Sequence, residues 1–209
     1  MTTNERQAHW QNVYLTNAEG EVSWFQENPA ISLELIEAAG VSKNAAIIDV
    51  GGGASRLVDA LVGRGYDKIT VLDLSEAALA VAKARMGDKA RSVDWIVADA
   101  TNWEPAAKFD VWHDRAAFHF LTGEHDRAAY IARLKRALRP GGTAIIASFS
   151  PQGPEKCSGL PVQRYSPTSL GEVLGPVFEL METREHEHRT PWGSVQSFQF
   201  SRFAFIQPV

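Results

Sequence analysis

The stretch Asp49-Val50-Gly51-Gly52-Gly53-Ala54-Ser55 decides how the rest of the chain is read. It follows an apolar run from Ala45 to Val50 and precedes Leu57, Val58, Leu61 and Val62 at helical spacing, so it is a glycine turn between a strand and a helix. In open α/β sheets such a turn lies in the crevice at the carboxyl ends of the strands, where ligands bind. Glycine there permits φ > 0 and close approach to the backbone, although glycines also serve tight turns that bind nothing. Arg56 stands where the third glycine of G-x-G-x-x-G is needed, which disfavours a dinucleotide pyrophosphate and an NAD-dependent oxidoreductase. The G-x-x-x-x-G-K-[ST] phosphate loop is absent. Asp73 follows Gly51 at roughly the 20-residue spacing from which a carboxylate takes a ribose diol. A nucleoside without a phosphate suits that pair.

Outward from this turn, strand and helix signals alternate. Ile69 to Leu72 is β-like, Asp73-Leu74-Ser75 is a turn, and Glu76 to Arg85 carries Leu79 and Ala82, with Met86 next, on one face behind Ser75 as N-cap. Val93 to Ala98 and Phe109 to His113 read as the third and fourth strands. Glu124 to Leu138 is a long helix ended by Arg139-Pro140-Gly141-Gly142, and Thr143 to Phe149 is the fifth strand. This alternation predicts a parallel sheet covered on both faces. The last third differs. Ser150 to Pro161 is rich in Pro and Gly, a short helix falls near Thr168 to Leu174, and two β-like segments, Phe178 to Arg189 and Val195 to Ile206, flank the turn Thr190-Pro191-Trp192-Gly193. They predict an antiparallel hairpin at one edge of a mixed sheet.

The chain of 209 residues reads as a single domain, with a leader or cap at 1–40, a ligand-binding core at 45–149 and a substrate-side segment at 150–209. Its 44% hydrophobic and 22% charged residues exclude disorder as the main state. The 21 Lys and Arg against 25 Asp and Glu, net charge -4, disfavour a nucleic-acid partner. Cys157 is the sole cysteine, so no internal disulfide or multi-thiolate metal site is available. Without a signal-like or membrane-length apolar run, the expectation is a cytoplasmic protein with no membrane partner; the oligomeric state stays open.

The chain resembles the class I S-adenosylmethionine-dependent methyltransferases over the core from Ala45 to Phe149 and the terminal hairpin. The resemblance implies one doubly wound, Rossmann-like α/β domain, its seven-stranded mixed sheet ordered 3-2-1-4-5-7-6, and S-adenosyl-L-methionine as cofactor. It implies that Asp49, Gly51 and Gly53 surround the methionine part and that Asp73, with Leu74 beside it, binds the ribose hydroxyls. Asp99, with Ala100 beside it in Val97-Ala98-Asp99-Ala100, faces the adenine amino group, and Asp114 borders the same site. Taken singly, each acid also suits an N-cap or a turn. Their joint placement after successive strands is what argues for a site.

Methyl transfer from a sulfonium is an in-line displacement that positioning alone can promote. A group within hydrogen-bond reach of the acceptor would help, and the candidates after the fourth strand are Asp114, Arg115 and His119, with Asp114 and His119 preferred, although His119 between two phenylalanines also reads as a packed core histidine. The segment Asp114-Arg115-Ala116-Ala117 departs from the Asn/Asp-Pro-Pro-Tyr/Phe signature of the family's DNA and glutamine amino-group specialists. No metal ligand set is apparent, and His186 and His188 read as exposed histidines of an edge hairpin. His9-Trp10, Tyr14 and Ser23-Trp24-Phe25 are expected to form an aromatic cap over cofactor and acceptor, with Tyr14, Trp24 and Phe25 closing over the acceptor, and Arg164, Tyr165 and His188 to line the mouth. The acceptor expected is a small polar or acidic molecule. Glu19, Glu21 and Glu27 keep a protein lysine open as the alternative, and a non-catalytic scaffold that keeps the cofactor is a third reading.

Overall fold

A computed structural model describes residues 1–206; positions 207–209, the end of the expected substrate-side segment, lie outside the described residues. The strands in chain order are β1 (Ala46–Val50), β2 (Lys68–Asp73), β3 (Val93–Val97), β4 (Phe109–Arg115) and β5 (Leu138–Phe149). The short β6 (Lys156–Cys157) and β7 (Leu160–Pro161) follow, then β8 (Phe178–Arg189) and β9 (Val195–Phe205). Seven of them form one sheet in the order β3-β2-β1-β4-β5-β9-β8, as the resemblance implied. The first five strands run parallel, and β9 is antiparallel to both β5 and β8. The strand order reverses between β1 and β4. That switch point opens the crevice an α/β sheet offers to ligands.

The central strands are buried on both faces, which is why they read as continuous apolar runs. Ile47 of β1 packs with Leu33 and Ile36 of α2 (Ala30–Ala38) and with Leu57 and Leu61 of α3 (Leu57–Gly63). Its neighbour Ile48 faces the opposite layer, where Tyr130 and Leu134 of α5 (Glu124–Ala137) and Leu170 of α6 (Pro167–Leu174) lie. Between them in the chain, α4 (Glu76–Met86) starts where the Ser75 hydroxyl accepts from the Ala78 N–H at 3.1 Å, the N-cap expected from the sequence.

Two local readings need correction. The α5 helix ends at Leu138, but no loop follows, because β5 begins at Leu138 and pairs with Phe109 before a bulge resets the register to Val111 opposite Thr143. Gly141, at φ 76°, takes up that irregularity. The Pro/Gly-rich stretch after β5 holds the β6–β7 hairpin, which its composition concealed. The turn at Thr190 is formed as expected, with Gly193 N–H donating to the Thr190 carbonyl. The leader carries a helix that the sequence reading left unassigned, α1 (Thr3–Thr16), closed at its start by a reciprocal Thr2–Glu5 capping box.

Candidate functional site

Helix α1 and the Trp24 segment lie across the carboxyl ends of β1 to β4 and enclose a cleft with about 820 Å³ of space between atoms, part of it open to solvent. One side of the cleft carries Asp73 and Leu74 after β2 and Asp99 and Ala100 after β3. The other side carries Arg115 at the end of β4, Ala116 and Ala117 after it, and Phe120. Trp10, Tyr14 and Trp24 form the cover. They hold one another edge to face, Trp10 at 5.6 Å from Trp24 and 4.9 Å from Phe120 between ring centres, and Trp24 Nε1 donates to the Tyr14 hydroxyl at 3.1 Å.

The glycines of the β1 turn are used for close approach. Gly51 has φ 69°, and a Cβ there would sit 2.5 Å from the Cβ of Ala117. Gly53 has φ 44°, and a Cβ there would press on Asp73 Oδ2 and the Tyr14 hydroxyl. The turn therefore draws β1, β4 and the leader together around the cleft.

Asp73 is buried, and its Oδ1 accepts from the Ser75 N–H at 2.7 Å. Burial pushes its carboxyl up to about 7; the Ser75 N–H opposes the rise and the charge of Asp49 adds to it. Asp99 is differently placed. Its Oδ1 accepts from the N–H and hydroxyl of Thr101, and its Oδ2 from Thr3 Oγ1 at 2.8 Å and Arg6 Nη2 at 2.6 Å. Burial pushes this carboxyl up, but the bonds from Arg6, Thr101 and Thr3 outweigh it and hold it below the usual range.

Asp49 does not line the cleft. Its Oδ1 lies 2.7 Å from His113 Nδ1, whose Nε2 lies 2.9 Å from Ser32 Oγ. The order Ser, His, Asp matches a nucleophile relay, but all three are buried and the chain ties α2 through β4 to β1.

The two candidate proton carriers are also placed away from the cleft. Asp114 is fully buried and accepts from the Ala117 and Phe118 N–H groups and, at 2.6 Å, from Tyr130, whose oxygen in turn accepts from Trp112 Nε1. Burial pushes its carboxyl up to about 6 against those bonds. Its lone pairs are spent on the turn after β4. His119 is fully buried between Phe120 and Phe149, and burial lowers its ring to about 3, with the nearby Arg115 charge adding.

Of the residues expected to meet an acceptor, Tyr14 and Trp24 line the cleft. Phe25 stands outside it, under the Arg56 guanidinium. Arg164 binds the carbonyls of Pro151 and Gly153 and the Glu155 carboxylate. Tyr165 is packed on Phe118 in the core. His188, expected to be exposed, is buried with Nε2 2.7 Å from the Ser23 carbonyl, and thus anchors the leader. Trp10, read with the leader's aromatic cap, also lines the cleft; missed by the sequence reading as cleft residues were Arg6, Phe120 and Cys157. The Cys157 thiol is buried and pushed up to about 11, so it is no ready nucleophile. The Thr-x-x-Glu box at Thr2 was the available signal for α1, and through it for Arg6.

Among the described residues no group of three His, Cys, Asp or Glu is placed to hold a metal, and no helix is long and apolar enough to cross a membrane. A family described as "Methyltransferase domain" matches residues 47–142. The chain is 27% identical over 169 residues to EEF1A lysine methyltransferase 2 of Danio rerio, which covers 78% of this chain and 66% of that protein. It is 30% identical over 106 residues to the ubiquinone biosynthesis O-methyltransferase of Thiobacillus denitrificans, covering 50% of this chain and 44% of that protein. The chain thus spans less than two thirds of the length of these curated relatives. Its fold is like that of Burkholderia thailandensis 1,6-didemethyltoxoflavin-N1-methyltransferase, solved with 1,6-didemethyltoxoflavin and S-adenosylhomocysteine (TM-score 0.75, 20% identity, 99% of this chain and 92% of that one). It is also like that of the N-methyltransferase NodS of Bradyrhizobium japonicum, solved with S-adenosylhomocysteine (TM-score 0.71, 17% identity, 96% and 99%).

Proposed function

The chain belongs to the class I S-adenosylmethionine-dependent methyltransferases, and on that premise we propose that it methylates a small polar or acidic molecule by in-line displacement. The residues present fit the cofactor. Asp73 lines the cleft and would take the ribose hydroxyls, Gly51 lines it where the methionine part would lie, and Leu74, Asp99 and Ala100 would flank the adenine, while Gly53, outside the cleft lining, packs against Asp73 and Tyr14. When bound, S-adenosylmethionine supplies a methyl group on a sulfonium, activated without help from the protein. What this chain's residues do is position: the Trp10, Tyr14 and Trp24 cover keeps water from the reacting atoms and fixes the line of approach. Asp114 and His119 serve as supports of the turn and core, so the acceptor arrives already deprotonated or loses its proton to water.

The observation that carries the acceptor class is the charge of the cleft. A lysine ammonium would want carboxylates. Glu19 is held by Arg56 and Arg85, Glu21 caps the Ala18 N–H, and Glu27 is exposed beside Arg56. None of the three lines the cleft. The likeness to a lysine methyltransferase over most of the chain keeps protein lysine as the second reading.

The test uses calorimetry with S-adenosylmethionine and S-adenosylhomocysteine, then incubation of methyl-labelled cofactor with a cell extract split by size. Label in the small-molecule fraction is the expected result. Label on protein favours the lysine reading, and cofactor binding with no transfer to either fraction favours a scaffold.

A further inference from the structure

We infer that Arg115 is the residue that selects the acceptor, by receiving a carboxylate carried on a flat apolar body. This rests on the methyltransferase reading above and names the class of molecule it would use. Arg115 ends β4, directly at the switch point of the sheet, and forms part of the cleft wall. A guanidinium has five N–H donors. Here Nη2 donates to the Trp24 carbonyl at 2.9 Å, Nε is buried without an acceptor, and no carboxylate is paired with the group among the described residues. The Phe198 ring lies 5.4 Å from the guanidinium carbon, and the buried Asp49 carboxylate, which is bonded to His113, acts on the guanidinium without bonding to it.

The other cation of the cleft is spent: Arg6 is divided between Asp99 and Asp126. Burial lowers Arg115 to about 10, which leaves it charged at neutral pH. A half-buried charge with no carboxylate bonded to it is costly to hold in place, and an anionic ligand bonded to it lowers that cost. One cation suits a single negative charge, and the planar fork of Arg matches a carboxylate. A phosphate would call for more positive charge than this corner offers.

Position separates this group from the cofactor's own carboxylate. The acids that suit the nucleoside stand after β2 and β3, while Arg115 stands beyond Gly51 on the β4 side with Ala116, Ala117 and Phe120. An in-line acceptor must enter on the side of the reacting methyl away from sulfur. The Trp10, Trp24 and Phe120 rings beside Arg115 would hold a flat body there. The Arg115 bond to the Trp24 carbonyl joins recognition of the anion to closure of the cover.

The experiment saturates the protein with S-adenosylhomocysteine and titrates it with benzoate and with its neutral isostere benzamide, read by the fluorescence of Trp10 and Trp24. Benzoate should bind at least about tenfold more tightly than benzamide. Arg115→Gln, which keeps a donor for the Trp24 carbonyl, should erase that preference and leave S-adenosylhomocysteine affinity within about twofold, while Arg115→Lys restores part of it. Equal binding of the two probes, or no saturable benzoate binding, overturns the inference while the methyltransferase reading stands. So does an Arg115→Gln variant that loses S-adenosylhomocysteine and keeps benzoate, since the cation then belongs to the cofactor. Failure of S-adenosylhomocysteine itself to bind sinks the underlying reading, and this inference with it.

Discussion

Arg6 Nη2 lies 2.6 Å from Asp99 Oδ2, so the first helix of the chain is fastened to the acid that follows the third strand. Arg6 also reaches Asp126 at 2.7 Å, which makes it a bridge from the leader to both the sheet edge and α5. The pair is nearly buried, with side-chain exposures of 10% and 3%. Removing one member of such a pair leaves the other charge unpaired. Arg6→Ala is therefore expected to destabilise the protein by about 3 kcal/mol in denaturant unfolding at pH 7. The Asp99 carboxyl is held below its ordinary value of about 3.9, so the pair's contribution is present above that pH and is lost as the pH falls through the depressed folded value. The difference between Arg6→Ala and the unaltered protein should shrink as the pH falls below the ordinary carboxylate range.

The same pair bears on the cofactor. A carboxylate has about four lone-pair sites, and Asp99 already accepts from Thr101 twice, from Thr3 and from Arg6. An adenine amino group must displace or share one of these donors. Thr3→Ala frees a site without breaking the ion pair, and is expected to leave S-adenosylhomocysteine affinity equal or raise it by a few-fold in calorimetry. A tenfold loss would instead make Thr3 part of the ligand contact.

Asp73 gives a pH-dependent prediction. Its carboxyl is raised to about 7 by burial, so it is largely protonated at pH 6 and ionised at pH 8. Two ribose hydroxyls donate best to the ionised form. S-adenosylhomocysteine affinity should therefore rise with pH through about 7, and Asp73→Asn should flatten that dependence while costing about 1 to 3 kcal/mol at pH 8. A slope that survives in Asp73→Asn would assign the titration to another group.

Gly51→Ala tests the turn. At φ 69° an alanine is strained by about 1 to 2 kcal/mol, and its Cβ would meet that of Ala117 at 2.5 Å. The expected outcome is a loss of both stability and cofactor binding. Adding Ala117→Gly removes the clash but not the strained dihedral, so the double variant should recover part of the stability, a coupling readable in a double-mutant cycle.

What the sequence disclosed and what it withheld follow from how each is encoded. The strand and turn around Gly51 and the acids at Asp73 and Asp99 are local signals, period and turn chemistry, and β1 to β4, β8 and β9 fall within a few residues of their readings. Helix α1 has no such period, because Arg6 is its one buried residue and its stability comes from a cap and from ion pairs to distant Asp99 and Asp126. Arg164, Tyr165 and His188 have the right chemistry for a cleft mouth. Their side chains turn to the Pro151 and Gly153 carbonyls, to Phe118 and to the Ser23 carbonyl, all chosen by packing between segments far apart in the chain. Arg115 was visible as a residue, but its lack of a partner was not, since that depends on every element around it.

His119 was a candidate base in the sequence, and its burial turns it into a determinant of acid stability instead. The folded ring titrates at about 3 and the unfolded ring near 6.5. Between these values the unfolded chain binds a proton that the folded chain does not, so stability falls as pH drops below about 6.5, by up to about 1.4 kcal/mol per pH unit from this group. His119→Asn keeps an acceptor for the Phe149 N–H, 3.5 Å away in the protein, and has no titration. Urea unfolding between pH 7 and 4.5 should show a shallower loss in the variant than in the unaltered protein. Because His119 lies outside the cleft, the pH dependence of methyl transfer should be the same in both. A variant that folds but loses methyl transfer at neutral pH, where the folded ring is unprotonated and able to act as a base, would return His119 to the reaction.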